Sequence, residues 1–208
     1  MAVLKNLLLF FLLFPNLIFG SQIGVASNST IEILAEDIIK TSEDTYLMGV
    51  KFRLDPGWHT YWINPGDSGE KASFEWKLPE GVKISNPKWP SPEIIPYPPL
   101  MTYGYNEEVT VLFNLTVERD LLSSEQIFLK SNWLACEDVC LPQSASIETT
   151  FLEIDDYKLS NKNSELLEKQ KKLPKKLPSS IKVLEEKGGI ILTGKIDSCL
   201  LYTSPSPR

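Results

Sequence analysis

The chain has 208 residues, 42% of them hydrophobic, 23% charged and 10% aromatic, and its 21 basic and 27 acidic side chains leave a net charge of −6. This is a globular composition, which excludes a disordered or collagen-like chain, and the acidic balance excludes a general nucleic-acid binder. The length allows one domain of about 100–150 residues and part of another.

The first twenty residues hold one charge, Lys5, ahead of an apolar run at 7–14 that continues through 17–19, with small residues after it. Charged, then apolar, then small is the order of a secretory signal, and the apolar part is too short to span a bilayer. Residues 1–20 are therefore expected to be a signal peptide, with cleavage after Gly20 or as late as Ala26. All five Trp and five of the seven Tyr fall between 46 and 133, and the main domain is placed at 27–156. Its hydrophobic period is two. Tyr46, Met48, Val50, Phe52 and Leu54 share one face, as do Val109, Val111, Phe113, Leu115 and Val117, which predicts strands over 46–54 and 109–117. Residues 127–134 and 147–154 read as further β segments. Asp55-Pro56-Gly57, the run from Asn64 to Gly69, and Leu78-Pro79-Glu80-Gly81 supply turns, each pairing a fixed φ with a glycine that tolerates positive φ. Short alternating strands without intervening helices predict an all-β fold, an antiparallel β-sandwich of immunoglobulin type.

One stretch fits neither strand nor helix. Six prolines lie between 87 and 99, interleaved with Trp89, Ile94, Ile95 and Tyr97. Proline cannot donate to a ladder and biases its predecessor toward extended backbone, so a stiff, exposed loop is expected here. Such a loop serves either as a functional surface or as a rigid crossover between sheets.

The candidate chemistry lies in Trp133-Leu134-Ala135-Cys136-Glu137-Asp138-Val139-Cys140-Leu141-Pro142. Two cysteines four apart share a face of a helical turn, about 6 Å apart at Cα, within disulfide range. The loop they close is short, so the chain entropy gained is small, which favours an exchanging bridge over a staple. A minor structural disulfide is the second reading. A Cu(I) or Zn(II) site is the third, with His59, Met48 and Met101 as the further ligands available. Glu137 and Asp138 between the cysteines either raise the thiol pKa by repulsion or stand solvated. His59, among Trp58, Tyr61 and Trp62, reads as a packed or surface imidazole whose titration can modulate the site.

Residues 157–180 read as a Lys/Pro-rich linker with one helical stretch at 164–172, and 181–198 as the start of a second β unit, a hairpin turned at Lys187-Gly188-Gly189. Residues 199–208 end without turn or cap logic. They resemble the translation of a sequencing adapter, so the reading frame is expected to be truncated and Cys199 to be no part of the cysteine count. Lys5 and Arg208 are the only charges in the two ends, so removing them takes the net charge from −6 to −8.

In order along the chain stand Gly57-Trp58-His59-Thr60-Tyr61-Trp62, the run Asn64 to Gly69, Leu78-Pro79-Glu80-Gly81, Trp89-Pro90, Tyr103-Gly104-Tyr105, and the cysteine segment through Leu141-Pro142. The set resembles the amino-terminal periplasmic domain of DsbD/ScsB-type thiol:disulfide interchange proteins over about 45–155. The three-residue cysteine spacing is similar to the ScsB-like branch. The resemblance implies an immunoglobulin-like domain in the periplasm, part of a larger protein anchored in the inner membrane. It implies a protein-disulfide reductase that takes electrons from the membrane thiol-relay domain of the same protein. These would pass to periplasmic thioredoxin-like disulfide proteins, including those of cytochrome c maturation. Cys136 and Cys140 would be catalytic, without cofactor or metal. A loop that shields the pair is also implied, with 94–101 as its candidate and Ile95, Tyr97, Leu100 and Met101 as its apolar side chains. The alternative function is a periplasmic copper-binding or metallochaperone module, since Cys-x-x-x-Cys-x-Pro also resembles the copper motif of Sco-type proteins. A purely structural, adhesion-like sandwich is the third possibility.

Overall fold

The computed structural model describes residues 23–42, 44–118, 125–150, 165–175, 181–186 and 189–194. The expected signal at 1–20, the terminal decapeptide and most of the expected linker lie outside the described residues. The strands are β1 (Ile23–Val25), β2 (Ser29–Ser42), β3 (Thr45–Leu54), β4 (His59–Gly66), β5 (Ser73–Lys77), β6 (Val82–Ile84), β7 (Glu93–Tyr97), β8 (Leu100–Asn106), β9 (Glu108–Val117), β10 (Gln126–Cys136) and β11 (Cys140–Thr150). They form two antiparallel sheets, one in the order β1-β2-β3-β9-β6 and the other β11-β10-β4-β8-β7, with β5 beside β10. The fold is an immunoglobulin-like β-sandwich. Helix α1 (Glu165–Lys171) and the hairpin of β12 (Lys182–Glu186) with β13 (Gly189–Thr193) follow.

The period-two faces of β3 and β9 meet the second sheet in one core. Met48, Val50, Phe52, Val111, Phe113 and Leu115 are essentially inaccessible to solvent. Aromatic edges fill the space between the sheets. Phe52 meets Trp133 at 5.3 Å and Phe74 meets Phe113 at 5.1 Å between ring centroids, both edge-to-face. Pairs of this geometry add about 0.5–1.5 kcal/mol each beyond their buried area. The Trp133 indole also donates to Ser29 Oγ across the core at 3.1 Å. Met48, a candidate metal ligand by sequence, belongs to this core, and its burial removes it from any site at the surface.

Two expectations are corrected. The proline-rich segment is not a loop throughout: residues 93–97 form β7, paired with β8 from Glu93↔Gly104 to Tyr97↔Leu100. Pro96 is tolerated because β7 is the edge of its sheet, where one side of the strand needs no donor. The second correction concerns the cysteines, which do not lie on a helical turn. They close the β10–β11 hairpin as a directly opposed cross-strand pair with Cα atoms 4.1 Å apart.

The other face of β3, which reads as a solvent face, is covered. Leu166 of α1 is fully buried against Leu47 and Leu112. Gly49 leaves room for it, since a Cβ there would come within 2.7 Å of Leu166 Cδ2. Charges flank this contact: Lys51 Nζ lies 2.6 Å from Glu165 and 3.1 Å from Glu108, and Lys169 lies 2.8 Å from Glu108. Burial alone would lower the Lys51 pKa, but hydrogen bonds to Glu165 and Glu108 outweigh it and hold the ammonium above its ordinary value. For Glu108 burial pushes upward, and hydrogen bonds from Lys169 and Lys51 outweigh it, so its carboxyl lies below its ordinary value. The Glu108 contribution is thus present above pH 4.5 and lost as pH falls through the lower folded value. Leu166→Ala is expected to cost about 2–3 kcal/mol and to release the amides of α1 to hydrogen exchange while those of β3 and β9 stay protected. Unchanged protection of α1 would show that Leu166 does not hold it.

Candidate functional site

β10 and β11 pair without a bulge from Gln126↔Thr150 to Cys136↔Cys140. Leu129, Trp133 and Ala135 point inward, so by alternation Leu134 and Cys136 belong to the outer face. The three residues Glu137, Asp138 and Val139 complete the turn, where the Glu137 N–H donates to the Val139 carbonyl at 3.3 Å. The cysteines form a disulfide. Its two sulfurs differ in access: Cys136 is 1% exposed although it faces outward, whereas Cys140 is exposed.

The covering group is Tyr61. β4 pairs with β10 at His59↔Cys136, and Tyr61, two residues on, lies on the same outer face. Its hydroxyl donates to Cys136 Sγ at 3.2 Å and lies 3.4 Å from Cys140 Sγ. Burial raises the Tyr61 pKa, which keeps the hydroxyl protonated, and so a donor, through the range in which thiols titrate. One glycine makes room for this ring. Gly69, at φ +100°, lies flat against it, and a Cβ there would come within 2.3 Å of Tyr61 Cε1. Gly104 stands opposite Tyr61 in the ladder, where a Cβ would strike the Thr60 carbonyl oxygen at 2.1 Å and Ile95 Cδ1 at 2.9 Å. The loop carrying Gly69 is tied to β8, with the Asp67 N–H donating to the Met101 carbonyl at 3.0 Å and the Met101 N–H to Asp67 Oδ2 at 2.9 Å.

A cavity of about 120 Å³ opens on the disulfide. His59, Tyr61 and Ser68 form one side, Ile95, Tyr97 and Thr102 another, and Cys136, Glu137, Asp138 and Cys140 the third. Of the four side chains expected to shield the pair, Ile95 and Tyr97 thus share a cavity with it. Leu100 and Met101 stand exposed on β8, outside that lining. His59 is half-buried, its ring 5.3 Å from and edge-on to that of Tyr61, and burial lowers its pKa. At neutral pH it is an uncharged imidazole. Glu137 and Asp138 are exposed to solvent. Among the described residues no group of three or more His, Cys, Asp or Glu side chains is arranged to hold a metal ion.

Tyr61 and Gly69 were not singled out by sequence reasoning. The signal for Tyr61 was weak, an aromatic two positions from His59, because which aromatic meets the sulfurs depends on how β4 pairs with β10.

Residues 32–152 match the family described as thiol:disulfide interchange protein DsbD, N-terminal, over more than half of the chain. The chain belongs to the DsbD N-terminal family. In fold it is similar to the N-terminal periplasmic domain of ScsB from Proteus mirabilis, with a TM-score of 0.56 and 20% identity over 83% of this chain. The match covers 66% of that structure, so this chain spans just under two thirds of its length. Matches to GAE domains of yeast GGA1 and of GGA2p from Saccharomyces cerevisiae have TM-scores of 0.34 and 0.32 at 9% and 10% identity. They cover 62% and 59% of this chain and 98% and 93% of theirs. No curated protein matches. Family and disulfide together make this a domain of thiol–disulfide exchange.

Tyr61→Phe keeps the ring and removes the donor. A hydrogen bond to a charged group contributes about 1.5–3 kcal/mol, or roughly 1–2 pKa units. The lower thiol pKa of the reduced variant is therefore expected to rise by about that much, read from the pH dependence of alkylation. An unshifted profile would mean that the hydroxyl does not reach the thiolate.

Proposed function

We propose that this chain is a periplasmic protein-disulfide reductase domain in which Cys140 exchanges with partners and Cys136 resolves the product. The observation that carries this reading is the asymmetry of the pair, one sulfur exposed and the other sealed beneath Tyr61. Exchange requires in-line access to a sulfur, and only Cys140 offers it.

In the reductive direction the Cys140 thiolate attacks a partner disulfide, forming a Cys140–partner bond and releasing the partner's other sulfur as thiolate. Cys136, once deprotonated, then attacks the Cys140 sulfur. The internal disulfide re-forms and the second partner thiolate leaves, so two electrons pass to the partner and two protons follow from solvent. Recharging runs in reverse: a thiolate of an upstream dithiol attacks exposed Cys140, and Cys136 departs as a thiolate. Tyr61 donates to that leaving sulfur, and a stabilised leaving group leaves faster. His59 stays uncharged beside the pair and adds no cation that would lower thiol pKa values further.

The family and the signal-like start support a periplasmic setting. They also support, as electron donor, a membrane thiol-relay domain of the same full-length protein, anchored in the inner membrane. The acceptors on this reading are exported thioredoxin-like disulfide proteins, including those of cytochrome c maturation. The sandwich is the exchanging unit, and the β12–β13 hairpin opens a second β unit. Ile95 and Tyr97, on the β7–β8 hairpin with Leu100 and Met101, act as a shield that a partner displaces.

Incubated with a disulfide protein substrate, the reduced Cys136→Ser variant is expected to accumulate a mixed disulfide through Cys140, and the reduced Cys140→Ser variant to accumulate little. Mass spectrometry of the trapped adducts reads the difference, and equal trapping would sink the assignment. For the shield, Ile95→Ala combined with Tyr97→Ala is expected to speed reaction of the reduced pair with a small aryl disulfide by about tenfold, or about 1.4 kcal/mol of barrier. An unaltered rate constant would leave the β7–β8 hairpin as a crossover only.

A further inference from the structure

Along β10, away from the disulfide, the second sheet forks. Cys136 pairs with His59 of β4, but pairing with β5 begins only at Asn132↔Ser73. Among the described residues, the three between them, Trp133, Leu134 and Ala135, have a strand partner on the β11 side only. On the forked side the Leu134 carbonyl accepts a hydrogen bond from Thr60 Oγ1 at 2.9 Å. A cleft of about 280 Å³ lies at this gap, lined by Glu70, Lys71 and Ser73 at the start of β5 and by Asn132, Leu134, Pro142 and Ser144 of β10 and β11.

The cleft lies next to the site along β10 and β11. Leu134↔Pro142 is the outer-face pair next to Cys136↔Cys140, and Asn132↔Ser144 is the one after it. Each step is two residues, or about 7 Å of extended chain. We propose that this cleft seats an extended stretch of the partner polypeptide adjoining the cysteine that bonds to Cys140. The proposal rests on the exchange reading above and deepens it.

The chemistry of the lining fits that occupant. A residue two positions from the bonded cysteine reaches Leu134 and Pro142, an apolar floor suited to an aliphatic side chain. Four positions away, the chain passes Asn132, Ser73 and Ser144. The Asn132 amide and the Ser73 hydroxyl meet each other only at 3.4 Å, and Ser73 Oγ reaches the Asn132 carbonyl at 3.5 Å, so both retain capacity to bond peptide N–H and C=O groups. A fork lined by backbone with no strand neighbour on that side also favours an extended chain, as in strand addition. The cavity at the sulfurs themselves is smaller, and Ile95 and Tyr97 line it. The cleft is therefore the open direction along which a covalently attached chain can run.

The test uses mixed disulfides with one leaving group, thionitrobenzoate, carried either on capped cysteine or on a capped octapeptide with Leu two positions from its cysteine. The reduced protein is expected to discharge the octapeptide about tenfold faster. In Ser144→Trp, or in Asn132→Arg should the first variant not fold, the ratio of the two rates is expected to fall to about one. A redox-independent reading accompanies this: the same octapeptide with Ser in place of Cys is expected to shift the amide signals of Asn132 and Ser144. Equal discharge of both probes by the native protein, or a ratio that survives the filled cleft, overturns the proposal. So do unmoved amide signals. Failure to discharge even capped cysteine instead overturns the exchange reading, and the octapeptide with Ser still reports on the cleft by itself.

Discussion

Trp133 points inward, its ring against Phe52 and its indole N–H on Ser29, and the placement of every other group in the site follows from that. Side chains alternate along a strand, so fixing one residue in the core fixes the facing of all its neighbours. With Trp133 and Ala135 inside, Cys136 is outside. The unbroken β10–β11 register then puts Cys140 beside it. A slip of one residue would turn the cysteines into the aromatic interior and the core residues into solvent. The indole therefore does more than fill volume, because its hydrogen bond across to the first sheet ties the register of the hairpin to the opposite layer.

The two sheets use their outer faces differently. That of the first sheet is closed by α1, through Leu166 over Gly49 and the charges around Lys51. That of the second carries the chemistry, and its strands are spaced and interrupted accordingly. Gly69 lets a large ring lie flat against its loop, and Gly104 lets β8 close on the Thr60 carbonyl of β4, so a hydroxyl reaches two sulfurs. The ring buries one sulfur and leaves the other free. A disulfide with equivalent ends thereby becomes one with an entry side and a sealed side.

Much of the sandwich was legible because alternation over ten residues survives any tertiary context. The faces of β3 and β9 are those of Tyr46 to Leu54 and Val109 to Val117. β4 and β5 were not legible. Between Gly57 and Lys77, aromatics fall at both parities, since Trp58 and Trp62 pack toward the core whereas His59 and Tyr61 face the site. Pro96 hid β7, because proline excludes a central strand and only the topology shows that this strand is an edge. Leu47 and Leu112 gave no sign of their cover, as an apolar residue on a strand's outer face reads the same whether water or a helix lies above it.

For the site itself, the sequence puts two cysteines within bonding reach wherever the chain between them turns, although an extended strand would hold residues four apart about 13 Å from each other. It also determined that a motif-rich aromatic segment and a proline-rich one precede them. It did not determine that the pair closes a hairpin, because a helical turn and a tight β-turn bring such residues together equally well. Packing between strands settled that, along with the burial of Cys136, the contact with Tyr61 and the fork beside Leu134. Each depends on which strand lies next to which, and strand order is set by packing between residues far apart in the chain, which no local pattern records.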